Sequence, residues 1–223
     1  MIAQPQPVCE ISGPDAFAAA FSVSRETLER LKIYESLLQQ WQKTINLVAP
    51  STLNQVWHRH FADSAQLVKL APPVPNTWVD LGSGAGFPGL VAAIMLAETA
   101  RTKFTLIESD SRKAAFLRET ARATAVPVDI LGCRIEAAAT RASVRQSAVI
   151  SARALSPLVR LLALAAPFTA NESVCLFPKG REVSRELKAA ENEWDFDCEL
   201  VPSLTDAEAR IVVIRNLRPK SPA

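Results

Sequence analysis

Four of the chain's seven glycines, Gly82, Gly84, Gly86 and Gly89, fall inside "WVDLGSGAGFPGL" at residues 78–90. Removing side chains at such density lets a ligand approach the backbone itself. The stretch follows a short apolar run, "TWVDL", and precedes a helix-compatible one, "LVAAIML". That is where open α/β sheets bind ligands, beyond the carboxyl end of a strand. Gly84, Gly86 and Gly89 satisfy the GxGxxG spacing of dinucleotide sites, a weak signal by itself. Two neighbours argue against a pyrophosphate. Asp80 would repel one and suits a ligand with ammonium or sulfonium charge. Pro88 suits the first turn of a helix and lacks an N–H that an anion would want. The expectation is a seat for a cationic nucleoside. Further on, Glu108 ends "TLIESD", where a carboxylate can accept hydrogen bonds from both hydroxyls of an unmodified ribose.

These residues need elements to hold them. Leu28, Leu31, Tyr34, Leu38, Trp41, Ile45 and Val48 recur at intervals of three and four, which predicts an amphipathic helix capped by Ser24 and ended by Pro50. A second helix is predicted from near Ser51 to about Leu70. The prolines of "LAPPVPN" at 70–76 break the pattern. Then "TWVDL", "KFTLIES", "VPVDILG", "SAVISA" and "ESVCLF" read as strands separated by helical stretches, which predicts parallel pairing through crossovers. The last pair, "DCELVPS" and "ARIVVIRNL", reads as an antiparallel hairpin at the sheet's edge. The fold class is therefore α/β, a doubly wound, mostly parallel sheet with an antiparallel edge hairpin and a helical N-terminal extension. Residues 1–23 are expected to be a flexible segment, 24–70 a helical cap and 77–217 the core, cap and core forming one globular domain.

At 223 residues, 48% hydrophobic and 22% charged, the composition is that of a soluble globular protein rather than a disordered one. A net charge of +2 neither demands nor excludes a nucleic-acid partner. Cys9, Cys133, Cys175 and Cys198 lie far apart without a CxxC pair. Buried free thiols are expected, with no metal site. No basic segment leads into a long apolar run, so neither signal peptide nor membrane span is expected, and the location expected is cytoplasmic. Trp57 and Trp78 read as core aromatics.

Six separated motifs, "HRHFADS" (58–64), "DLGSGAGFPG" (80–89), "LIES" (106–109), "CRIEA" (133–137), "SARA" (151–154) and "FPKG" (177–180), resemble in order and spacing the RsmG (GidB) family of bacterial ribosomal RNA methyltransferases. The similarity runs over roughly residues 24–216. It implies a Rossmann-like enzyme that uses S-adenosyl-L-methionine to methylate N7 of a guanine in 16S rRNA, in the decoding region of the small subunit. By position, the family's cofactor contacts fall on Gly82, Phe87, Ile135, Glu136 and Arg153. With Gly84 and Glu108 from the loop and strand end, these complete the expected cofactor site. The chain departs from the family at Gln42, where asparagine is usual, and at Val48, where threonine is usual.

Guanine N7 already carries a lone pair, so no general base is expected, and rate would come from alignment and charge complementarity. N7 lies on the major-groove edge that A-form RNA hides, so the target base must be looped out or turned from its stack. Arg59, His60, Lys179 and Arg181 are the expected RNA contacts. The glycine loop alone leaves open a small-molecule or protein methyltransferase, a non-catalytic RNA-binding module and, less readily, an NAD-linked oxidoreductase.

Overall fold

Helix α1 (Pro14–Phe21) opens the computed structural model, which describes residues 10–220. Pro14 starts the helix, where its missing N–H costs nothing. Phe17 is fully buried and meets Trp57 edge-on. This part of the segment expected to be flexible is therefore anchored, by two aromatic side chains too few to give a periodic signal. Residues 1–9, Cys9 among them, lie outside the described residues.

Helix α2 (Arg25–Gln42) is capped as predicted, with Ser24 Oγ accepting from Thr27 N–H. It ends well before Pro50. Gln42 Oε1 accepts from the N–H groups of Leu47 and Val48 at 2.9 and 3.0 Å, and its Nε2 donates to Val48 O at 2.8 Å. The side chain thus takes over hydrogen bonds that a continuing helix would have made, and Ile45 and Val48 are buried from a turn. The predicted second helix is a composite: a 3-10 turn at Pro50–Gln55, a π turn at Trp57–Ala62, one α turn, α3 (Asp63–Ala65), and a 3-10 turn at Gln66–Leu70. Apolar spacing does not separate these windings.

The sheet has the predicted form. Its strands are β1 (Thr77–Leu81), β2 (Lys103–Ile107), β3 (Val128–Leu131), β4 (Val149–Ser151), β5 (Val174–Lys179), β6 (Trp194–Pro202) and β7 (Arg210–Pro219). The order is β3-β2-β1-β4-β5-β7-β6, with only β7 antiparallel to its neighbours. Around it stand α4 (Gly89–Leu96), α5 (Ser111–Ala123), α6 (Ile135–Ala138), α7 (Leu158–Ala165) and α8 (Val183–Ala190). The cap, α4 and α5 share one buried apolar cluster with one face of the sheet, and α7 and α8 share another with the opposite face. Strand order reverses between β1 and β4, so a crevice opens beyond their carboxyl ends. Trp57 and Trp78 are core residues. Cys133, Cys175 and Cys198 are free, but only Cys175 is buried, its thiol pushed up to about 12 by burial; Cys133 is half-buried and Cys198 exposed.

Candidate functional site

The glycine loop leaves β1 through positive φ at Gly82, Gly84 and Gly86. Gly84 N–H donates to Glu108 Oε2 at 2.8 Å, and Asp110 N–H donates to Oε1 at 2.7 Å. Glu108, only 8% exposed, is therefore held rigidly at the end of β2 with acceptor capacity to spare. A Cβ at Gly84 would meet nothing nearer than Gly82 O at 3.9 Å, so this face is open to a ligand. The other glycines answer to the protein. A Cβ at Gly86 would strike the Tyr34 hydroxyl, and one at Gly89 would lie 2.5 Å from both Asp80 and Leu106. Tyr34, kept protonated by burial, donates to Ala85 O, so α2 clamps the far side of the loop.

Asp80 does not face the ligand side. Its carboxylate is wholly buried behind the loop, where Oδ1 accepts from Ser151 Oγ at 2.6 Å and Oδ2 has no partner. Desolvation pushes its pKa up to about 6. Any preference for a cationic ligand reaches the site as a field from this buried group rather than as a contact. Phe87 also turns away. Its ring stacks on Tyr34 at 5.5 Å and on His60 at 4.9 Å, with the Arg153 guanidinium 4.8 Å above it. Its side chain belongs to the cap interface.

A cavity of about 430 Å³ lies over the loop. Six of the seven expected cofactor residues line it, Gly82, Gly84, Glu108, Ile135, Glu136 and Arg153, and Phe87 does not. The volume suits a nucleoside-sized ligand. An anchored carboxylate and an open glycine face suit the ribose of S-adenosyl-L-methionine, and Ile135 and Glu136 on the first turn of α6 offer an apolar face and an acceptor. Among the described residues, no three His, Cys, Asp or Glu side chains converge to hold a metal ion. No described helix is long and apolar enough to cross a membrane.

Residues Arg153–Ser156 form a wall shared with a second cavity of about 680 Å³. Leu155 leans over Gly82, and Ser156 Oγ is buried there without a partner. Arg153 ties this wall to the cap. Its Nη1 donates to Arg59 O at 3.0 Å and Asp63 Oδ2 at 3.1 Å, and its Nη2 donates to His60 Nδ1 at 2.9 Å. Asp63, rather than Asp80, is its ion-pair partner. The guanidinium can only donate, so His60 Nδ1 accepts and Nε2 carries the proton, which it gives to Thr52 Oγ1 at 2.8 Å. Burial, helped by Arg153 and Arg59, pushes the His60 pKa down to about 3. His60 is thus a neutral positioning group and not a phosphate-binding cation, and it makes no pair with Asp63.

Arg59, His60 and Lys179 line the second cavity; Arg181 stands outside it. Arg59 pairs with Asp206 at 3.4 Å, half-buried, and Arg181 with Glu208 at 3.2 Å, exposed. Lys179 is nearly buried, bound to Ser156 O and Glu186 Oε2 at 2.7 Å each. Tyr34, Asp63, Leu155 and Ser156 were not among the expected site residues. Only Asp63 gave a signal, its place in "HRHFADS".

Comparison with known proteins gives the family and the fold. The family model described as "GidB: rRNA small subunit methyltransferase G" matches residues 27–213. A "Ribosomal RNA small subunit methyltransferase G" from Parvibaculum lavamentivorans is 48% identical over 93% of this chain and 91% of its own length. One of the same name from Rhodospirillum centenum is 50% identical over 92% of this chain and 91% of its own. Among solved structures, a methyltransferase from Geobacter sulfurreducens aligns with a TM-score of 0.55 at 14% identity, covering 84% of this chain and 88% of that one. A SAM-dependent methyltransferase from Aquifex aeolicus gives 0.54 at 15% identity, covering 81% and 97%. The last two bear on the fold alone.

Proposed function

The chain belongs to the GidB family of small-subunit rRNA methyltransferases, and from that membership we propose that it transfers a methyl group from S-adenosyl-L-methionine to N7 of a guanine in 16S rRNA, free or within the small subunit. The observation that carries the reading is the pair of cavities meeting across Arg153–Ser156 at the reversal of strand order. A methyl transfer needs donor and acceptor seats in contact, and two adjoining cavities would supply them. The first would take the cofactor, with Glu108 on the ribose hydroxyls, Gly82 and Gly84 beside the donor, and Ile135 and Glu136 at the base. Arg153 faces both seats.

The second would take the target guanine, turned out of its stack. Leu47, Val48 and Pro178 give it apolar walls, while Arg59, with Arg181 outside, would meet flanking phosphates by exchanging weak surface partners. Lys179 reads as a member of the wall that holds Ser156 and Glu186 in place. The cofactor supplies an electrophilic methyl on a sulfonium. The protein's part is to orient N7, exclude water and match the redistribution of charge, with no general base and no metal. We assign residues 24–70 as the cap that shapes the acceptor seat and 77–217 as the core that holds the donor seat.

Incubating the protein and methyl-labelled cofactor with 16S rRNA or small subunits from a strain lacking the gene, then mapping label by mass spectrometry, tests the reading. Label at N7 of one guanine is expected. Label confined to protein or small molecules would overturn it.

A further inference from the structure

Beside the acceptor seat every expected RNA cation is answered by an acid: Arg59 by Asp206, Lys179 by Glu186 and Arg181 by Glu208. The donor cavity is different. Lys113 from the first turn of α5, Arg134 at the N-cap of α6 and Arg160 from the first turn of α7 all line it. They arrive from three elements, after β2, β3 and β4. Arg134 and Arg160 are exposed and Lys113 half-buried. Among the described residues none of the three side chains has an ion pair or a hydrogen bond, whereas Arg153 in the same cavity has both. With Arg153, four cations face two carboxylates, Glu108 and Glu136. Glu108 is already engaged by two backbone N–H groups.

The cofactor does not explain this surplus. S-adenosyl-L-methionine carries a sulfonium, an ammonium and one carboxylate, a net positive charge. One cation could serve the carboxylate; the others find no anionic group on the ligand, and, exposed or half-buried, they repel its positive charge only weakly through solvent. A polyanion crossing the rim turns the surplus into attraction. No residue of the cap lines this cavity, so such an anion would lie on the far side of the Arg153–Ser156 wall from Arg59.

Resting on the rRNA reading above, we infer that Lys113, Arg134 and Arg160 form a phosphate-binding rim, so that the RNA strand crosses the mouth of the donor cavity as well as the acceptor seat. The consequence is ordered access: RNA lying over the rim would hinder exchange of the cofactor beneath it.

The test compares wild type with Lys113→Gln/Arg160→Gln and with Arg134→Gln. Binding to unmethylated small-subunit rRNA is measured by fluorescence anisotropy over a salt series, and binding of S-adenosyl-L-methionine by calorimetry. Each lost phosphate contact is expected to make the slope of log K against log salt shallower by about 0.7–0.9. The double variant should bind rRNA about tenfold or more weakly at low salt, with cofactor affinity within about twofold of wild type. Circular dichroism confirms that the variants are folded. Unchanged rRNA affinity and slope in both variants would sink the rim while leaving the methyltransferase reading intact. So would a loss of cofactor affinity with rRNA affinity unchanged, which would assign the cations to the cofactor. Failure of wild type itself to bind or methylate rRNA would overturn the underlying reading and the rim with it.

Discussion

At the scale of single residues, two buried titratable groups beside the site, His60 and Asp80, pull stability in opposite directions. His60 titrates near 6.5 when unfolded and near 3 when folded, so the unfolded chain takes up a proton that the fold refuses, and stability falls as pH drops through that window. Asp80 moves the other way, from 3.8 to about 6. The fold holds a proton that the unfolded chain releases, and stability falls as pH rises through that interval. Between about pH 4 and 6 the two slopes oppose each other, each at most about 1.4 kcal/mol per pH unit. Asp80→Asn removes one of them. Urea midpoints for the variant should climb relative to wild type from pH 4 to 6 and hold a constant offset above about pH 6.5. A pH-independent offset would mean that Asp80 does not titrate there. Sequence reading found Asp80 and its charge but gave it the wrong face. Whether it meets a ligand or a helix is decided by Gly89, whose missing Cβ lets α4 close over it.

At the scale of elements, the loop between α2 and Pro50 depends on one amide. Gln42 satisfies two N–H groups and one carbonyl on Leu47 and Val48, both buried. Gln42→Ala leaves those groups without a partner and should cost about 1–3 kcal/mol by chemical denaturation. Because Leu47 and Val48 also line the second cavity, the proposed acceptor seat, the variant should raise KM for rRNA while cofactor affinity stays put; a stability loss with KM unchanged would detach this loop from substrate binding. The seven strands were legible because β-rich apolar runs bounded by turn residues have few other uses. The end of α2 was not, since Ile45 and Val48 keep helical spacing through a turn that a side chain, not the backbone, completes. The windings of residues 50–70 were equally hidden, because 3-10, α and π turns bury similar sets of residues. Phe87 shows the same limit: adjacency to the glycines suggested a cofactor contact, but Tyr34 and His60 chose the direction of its ring, and it does not line the cavity.

At the scale of the whole molecule, cap, sheet and edge hairpin meet at Asp63. Its Oδ2 holds Arg153 from the end of β4, and its Oδ1 accepts from Thr205 Oγ1 at 2.9 Å in the connection between β6 and β7. Gln66 reinforces the link, donating to Asp63 and to Ser203 Oγ and accepting from Leu204 N–H. His58 adds a second strut, accepting from Ile11 N–H and donating to Thr205 O. Arg153 lines both cavities, so a ligand in either one changes what the guanidinium can bond to in the other. Affinities for cofactor and rRNA should therefore depend on each other, and by linkage each must alter the other by the same factor. Asp63→Asn keeps the shape and the acceptor for Thr205 but removes the charge that holds Arg153. Breaking this largely buried pair should lower stability by about 2–4 kcal/mol. In calorimetric titrations, wild type should give different cofactor Kd values with and without saturating rRNA, and Asp63→Asn should bring the two values together. If the difference survives intact in a folded variant, the two seats communicate by another route, and the cap is a wall rather than a lever.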